Sequence, residues 1–146
     1  MTIRWTDSIS DTIYNDSLAI RKDVFINEQH ISPNIEISDE EESYHFVVYS
    51  EENTPIATCR LKQLDDTTFK LQRFAVRPTY RKKAIGKSLI QGVEAFVSKN
   101  MASNIVLSAQ EHALPFYLKQ GYVVSGRPFE EIGIPHYPLK KSLSLH

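Results

Sequence analysis

Between residues 84 and 98 the apolar side chains Ile85, Leu89, Val93, Phe96 and Val97 recur at intervals of three and four. That spacing lines one stripe of an α-helix. Residues 104–108 form a short, nearly continuous apolar run, as an interior strand requires. Upstream, Ile13, Tyr14, Leu18, Ile20, Val24 and Phe25 mark a broad helical face over residues 12–28, with Asp11 placed as the cap. Residues 45–49, 56–61 and 69–76 are rich in β-branched and aromatic side chains. Turn-forming segments at 51–55 and 65–67 separate them, so an antiparallel meander is predicted. Residues 2–6 alternate as a short strand.

The stretch from Leu71 to Leu107 therefore reads strand, helix, strand. Such a crossover makes its two strands parallel and right-handed. Pro115 is tolerated only near a helix start and Gly121 is a natural stop, which predicts a short helix beginning near His112. Tyr122-Val123-Val124 opens another strand. Residues 134–143 predict a last one, which Pro135 and Pro138 confine to an edge or to broken pairing.

The chain has 146 residues, enough for one domain with a real core, and residues 1–146 are read as one. Seventeen basic and eighteen acidic residues give a formal net charge of −1. That balance gives no general attraction to nucleic acid or to a membrane surface. Cys59 is the single cysteine and cannot form an internal disulfide, which suits a reducing compartment. No signal-peptide core or membrane span is visible, so a cytoplasmic protein is expected. Residues 32–43 hold Pro33, Glu36, Asp39, Glu40, Glu41 and Glu42. This run reads as a solvated loop, with an acidic lip for a cationic amine as the sharper alternative.

The chemistry concentrates where strand 69–76 runs into the long helix. Arg81, Lys82, Lys83 and Lys87 surround a predicted helix start, where backbone N–H groups lack partners and the dipole favours anions. Gly86 lets a ligand approach the backbone. A P-loop needs a glycine where Arg81 stands, and a dinucleotide fingerprint needs three spaced glycines where this segment has one. A solvated basic turn capping a helix is the plain alternative.

The segment resembles the diphosphate-binding motif of the GNAT superfamily of N-acetyltransferases, Arg/Gln-x-x-Gly-x-Gly/Ala, with Arg81, Ala84 and Gly86 at its positions. Ala84 departs from the usual first glycine. A second segment falls in register with Asn-x-x-Ala-x-x-x-Tyr-x-x-x-Gly-Phe: Gln110, Ala113, Tyr117, Gly121 and Tyr122. Gln110 replaces the asparagine. Tyr117 by itself reads as a core aromatic beside Phe116; two motifs in order give it a functional reading. Local likeness extends to residues 72–76, to Phe129, Glu131, Gly133, Ile134 and His136, and to Val24, Phe25, Glu28 and Gln29, which resemble the small bacterial ElaA-like branch.

What the resemblance implies is an α/β (α+β) fold with a mixed sheet of about six to seven strands, a parallel pair around the central crossover and about four helices. It implies acetyl transfer from acetyl-CoA to a primary amine of a small molecule or protein by direct attack, with acetyl-CoA as co-substrate and no metal. Backbone groups of Phe74, Ala75 and Val76 would hold the pantetheine arm, aided by Gln110 and Phe116. The segment Arg81, Lys82, Lys83, Ala84, Ile85, Gly86, Lys87 and Ser88 would hold the diphosphate. Tyr117 would protonate the departing thiolate. Relatives carry a glutamate base where Gln72 stands, and a glutamine cannot take a proton. Glu28, Glu111, His112 and His136 remain as base candidates, with His136 preferred because imidazole titrates near neutrality. Glu28, Gln72 and His112 are expected to line the acceptor site; the plain alternatives are solvated charges for Arg21 and Glu28, a cap or a pair with Arg21 for Glu28, and a helix cap for His112. A homodimer is compatible with the sequence. The missing carboxylate at position 72 motivates an alternative from another class, a CoA-binding sensor without turnover. A nucleic-acid binder is disfavoured by the neutral net charge.

Overall fold

The computed structural model describes residues 1–30 and 40–143. The chain divides into two compact units. The first comprises residues 1–62 and 72–92; the second comprises 63–71 and 93–146.

In the first unit, β1 (Thr2–Thr6) pairs antiparallel with β2 (Ser43–Tyr49), which pairs antiparallel with β3 (Pro55–Gln63). The second half of β4 (Thr68–Val76) follows β3 in the strand order. Helix α1 (Thr12–Arg21) starts where the Asp11 carboxylate accepts the Ile13 N–H at 2.8 Å, the expected cap. The predicted helix over 12–28 then changes character. Lys22–Glu28 is π-helical, with the Gln29 N–H donating to the Val24 carbonyl five residues back. Ile20, Val24, Val47, Tyr49 and Ala75 make a buried cluster, with Ile13 and Phe25 against it.

In the second unit, β5 (Asn104–Ala109) runs parallel to the start of β4 over Thr68–Lys70 and antiparallel to β8 (Ile134–Ser142). β6 (Val123–Val124) and β7 (Phe129–Glu131) both pair with β8. The β4–β5 ladder is the parallel pair that the crossover pattern requires. The connecting helix α2 (Ile85–Lys99) buries Ile85, Leu89, Val93, Phe96 and Val97, the predicted stripe. Phe96 meets Phe69 edge-on at 6.0 Å. The short helix α3 (Leu114–Lys119) follows a 3-10 turn at Glu111–Ala113, with Pro115 in its first turn and Gly121 at φ +94° just past its end.

The last strand takes the second outcome its prolines allow: β8 is no edge, but beside its ladder to β5 its other side is shared between β7 at Ile134–His136 and β6 at Leu139–Lys140, with the pairing broken between them. Pro138 faces Ser108 on β5, while its carbonyl accepts from the Ser125 N–H at 2.8 Å on the opposite side. In an antiparallel ladder a residue's N and O point the same way. The missing N–H therefore faces the side where β6 has already ended at Val124, and no bond to β5 is lost. β7 is a further strand the pattern did not predict; it turns into β8 through Ile132 and Gly133, both left-handed at φ 55° and 71°.

Candidate active site

The diphosphate candidate is built in the first unit. After β4, Pro78–Tyr80 makes a 3-10 turn, Arg81 is extended, and Lys82 and Ala84 take φ of +64° and +60°. Left-handed residues alternating in this way turn successive N–H groups into a concavity that suits an anion. α2 follows at once, so the N–H groups of Ile85, Gly86 and Lys87 have no acceptor within the helix. Its first intrahelical bond runs from the Ser88 N–H to the Ala84 carbonyl at 3.1 Å. Lys82, Lys83 and Lys87 are exposed, and the Lys83 ammonium lies 5.8 Å from the Tyr80 ring centre. Ala84 supplies by strain what a glycine supplies freely: an L-residue with a Cβ costs about 1–2 kcal/mol in this region.

Arg81 is not aimed at open solvent. Its Nε donates to the Val76 carbonyl at 2.9 Å, and its two terminal nitrogens donate to both Glu28 oxygens at 2.9 and 2.8 Å. The hydrogen bond from Arg81 and its charge hold the Glu28 carboxyl below the usual carboxylate range. The same contact raises the Arg81 guanidinium. Glu28 thus pairs with Arg81 rather than with Arg21. A second pair, Arg77 with Asp23 at 2.9 Å, joins the same two segments. The five-residue hydrogen bonding of the π-helical segment stacks Asp23 below Glu28 and so presents both carboxylates to one loop.

β4 carries an irregularity at the position the chemistry needs. Arg73 has φ +55°, unusual for a non-glycine inside a strand. The ladder to β5 ends at Lys70, so Phe74, Ala75 and Val76 lie beyond it. Ala75 is buried, and Phe74 and Val76 are half-buried.

Gln72 is tied into a buried charge cluster. Its Oε1 accepts from Arg60 Nε at 3.1 Å and Nη2 at 2.8 Å. Arg60 Nη1 pairs with Glu40 at 2.9 Å, and Arg21 pairs with the other Glu40 oxygen at 2.7 Å. The Tyr14 hydroxyl also donates to Glu40 at 3.2 Å. Arg21 and Arg60 are each 1% exposed and Glu40 8%. The solvated acidic loop is thereby corrected at Glu40, and Arg21 is no surface charge. The rest of that run up to Asp39 lies outside the described residues. A carboxylate at position 72 would face the Arg60 guanidinium and be held ionised, a poor proton acceptor. The cluster also encloses His45, whose Nε2 donates to the Glu40 carbonyl at 2.9 Å. Burial is the main force pushing the His45 imidazole below its ordinary value.

The second unit holds the candidate proton-transfer groups. Tyr117 on α3 is 8% exposed, with Phe116 edge-on at 5.0 Å and Tyr122 edge-on at 6.0 Å. Gln110 precedes the 3-10 turn in extended conformation, and its carbonyl, not its side chain, caps Ala113 N–H at 3.0 Å. Glu111 and His112 are exposed on that turn. His136, at the β7–β8 hairpin, has Nδ1 at 2.8 Å from the Ile134 carbonyl, so Nδ1 carries the proton. Its Nε2 lies 3.6 Å from the Glu131 carboxylate. Cys59 is fully buried and burial pushes its thiol up, which removes it from nucleophilic use.

The parallel strand–helix–strand unit places a cationic loop with left-handed residues directly ahead of its helix, a geometry of the class that can accept an anion. Residues 13–143 match the family model of the acetyltransferase (GNAT) domain, and the chain belongs to that family. It is 36% identical over 128 residues to YjcF of Bacillus subtilis, assigned as an N-acetyltransferase, covering 86% of this chain and 90% of that one. A crystal structure of a Lactobacillus plantarum protein assigned to the same activity superposes with a TM-score of 0.90 at 26% identity, over 98% of both chains. ElaA of Escherichia coli shares the fold with a TM-score of 0.80 at 21% identity, over 96% of this chain and 99% of its own. The protein is an acetyltransferase that draws its acyl group from acetyl-CoA. The mixed eight-strand sheet with one parallel pair is the fold expected of the family. No helix among the described residues is long and apolar enough to cross a membrane.

Proposed function

We propose that this chain transfers the acetyl group to a primary amine of a small molecule or protein by direct attack. The observation that carries the reading is the left-handed loop ahead of α2, whose Ile85, Gly86 and Lys87 N–H groups fit an anionic diphosphate flanked by Lys82, Lys83 and Lys87. Acetyl-CoA supplies an acyl group already activated as a thioester. Phe74, Ala75 and Val76 offer backbone beyond the β4–β5 ladder for its amide-bearing arm, with Gln110 and Phe116 assigned to the same arm by resemblance. Burial of the single cysteine supports direct transfer over a thiol-linked route.

Tyr117 holds the proton for the departing sulfur. A phenol with an ordinary pKa near 10 keeps that proton at neutral pH, and a thiolate of pKa near 8.5 accepts it at small cost. At the other end, an ammonium of pKa near 10.4 must lose a proton at a cost of about 4–5 kcal/mol at pH 7. His136 is assigned that proton. With Nδ1–H fixed on Ile134, Nε2 carries the lone pair, and it lies 3.6 Å from the Glu131 carboxylate. Gln72 and His112 are assigned to the acceptor side, Gln72 as a positioned amide and not as a base.

The test is acetyl-CoA turnover against a panel of diverse small amines and lysine peptides, read by thiol release. Turnover with at least one amine, dependent on Tyr117, is expected. CoA binding without turnover across the panel, indifferent to Tyr117→Phe, would identify a sensor instead.

A further inference from the structure

We infer that Glu28 is a positioning residue for the cofactor loop, and that Arg81 acts as the arm Glu28 pulls on rather than as a ligand of the diphosphate. The inference rests on the acetyl-CoA reading and adds to it a residue from outside the loop. Arg81 has three side-chain bonds, one to the Val76 carbonyl and two to Glu28. They account for Nε and both terminal nitrogens of its guanidinium. Two of the three residues that follow it, Lys82 and Ala84, sit in the left-handed region, where a side chain is disfavoured. Such a conformation persists only when its surroundings determine it. The bracing comes from the π-helical segment: Asp23 fixes Arg77 before the loop, and Glu28 fixes Arg81 at its first residue. The carboxylates lie on one face of that segment because its hydrogen bonds run five residues. Charge points the same way. A guanidinium neutralised by a bidentate carboxylate offers little to a phosphate, which leaves Lys82, Lys83 and Lys87 as the loop's cations.

Glu28→Gln separates the two roles by sign. If Arg81 were a phosphate ligand, removing the neighbouring negative charge would tighten CoA binding. As a brace, the loss of one fork of the bidentate pair weakens it, by about two- to fivefold. Calorimetric titration with CoA reads this directly. Arg81→Lys keeps the charge but cannot reproduce the planar fork, so it should lose as much affinity as Arg81→Ala, while Glu28→Asp should retain most of it. In the free protein, Glu28→Gln should shift the backbone amide resonances of residues 82–86 and leave those of β5 and β8 in place. In turnover, KM for acetyl-CoA should rise with kcat little changed. Unchanged or tighter CoA binding by Glu28→Gln, or wild-type affinity in Arg81→Lys, overturns the inference. Failure of the wild-type protein to bind CoA would overturn the acetyl-CoA reading itself.

Discussion

Glu40→Gln is the substitution to which the first unit should be most sensitive. Glu40 bridges Arg21 at 2.7 Å and Arg60 at 2.9 Å. All three side chains are nine-tenths or more buried. A buried ion pair adds little net stability over an apolar replacement, but deleting one partner strands the other charge, at about 3–5 kcal/mol. Here two guanidiniums share the deleted carboxylate, so the upper part of that range is expected. Glutamine is nearly isosteric and leaves no cavity, which isolates the charge term. At about 3 °C per kcal/mol for a chain of this length, the melting temperature should fall by about 10–15 °C. Urea unfolding followed by circular dichroism reads the free energy, and an unchanged slope shows that the loss lies in the native state. Glu41→Gln, an exposed neighbour, should change stability by no more than about 0.5 kcal/mol. A loss below about 1 kcal/mol for Glu40→Gln would refute the reasoning, since it would mean that water already reaches the cluster.

The remaining predictions concern protons. Tyr117→Phe should lower kcat by about 10²-fold or more while CoA affinity changes less than about threefold; equal losses would assign the phenol to packing. For His45, burial lowers the folded-state pKa, so below about pH 6.5 the unfolded chain binds the proton and the folded chain does not. Stability should therefore fall as pH drops below that value, by up to about 1.4 kcal/mol per unit, down to the folded-state pKa. Denaturant midpoints for wild type and His45→Gln over that window should diverge, with the variant flatter; parallel profiles would contradict the assignment.

Periodicity makes most elements legible in the sequence. The α2 stripe of Ile85, Leu89, Val93, Phe96 and Val97 is buried as predicted, because a 3.6-residue repeat fixes a face without tertiary information. The loop and Tyr117 could be singled out through two spaced motifs. What could not be read were relations between distant residues. Glu40 looked like any member of an acidic run, and no spacing rule joins it to Arg21 or to Arg60. The change from α to π hydrogen bonding after Arg21 leaves the apolar pattern intact, so the shared face of Asp23 and Glu28 was invisible. β7 spans only three residues and two of them are acidic, too little pattern to register. Pro138 left edge and broken pairing both open for a definite reason: its missing donor matters only on the side it faces, and sequence does not give that side.

The central claim is that the bare main-chain nitrogens at the start of α2 hold the phosphates of acetyl-CoA. The most direct measurement is a titration of the isotopically labelled protein with CoA, followed through the amide resonances of Ile85, Gly86 and Lys87. Large saturable shifts at these three amides, tracking the calorimetric affinity, are predicted; CoA binding that leaves all three where they were would contradict the account.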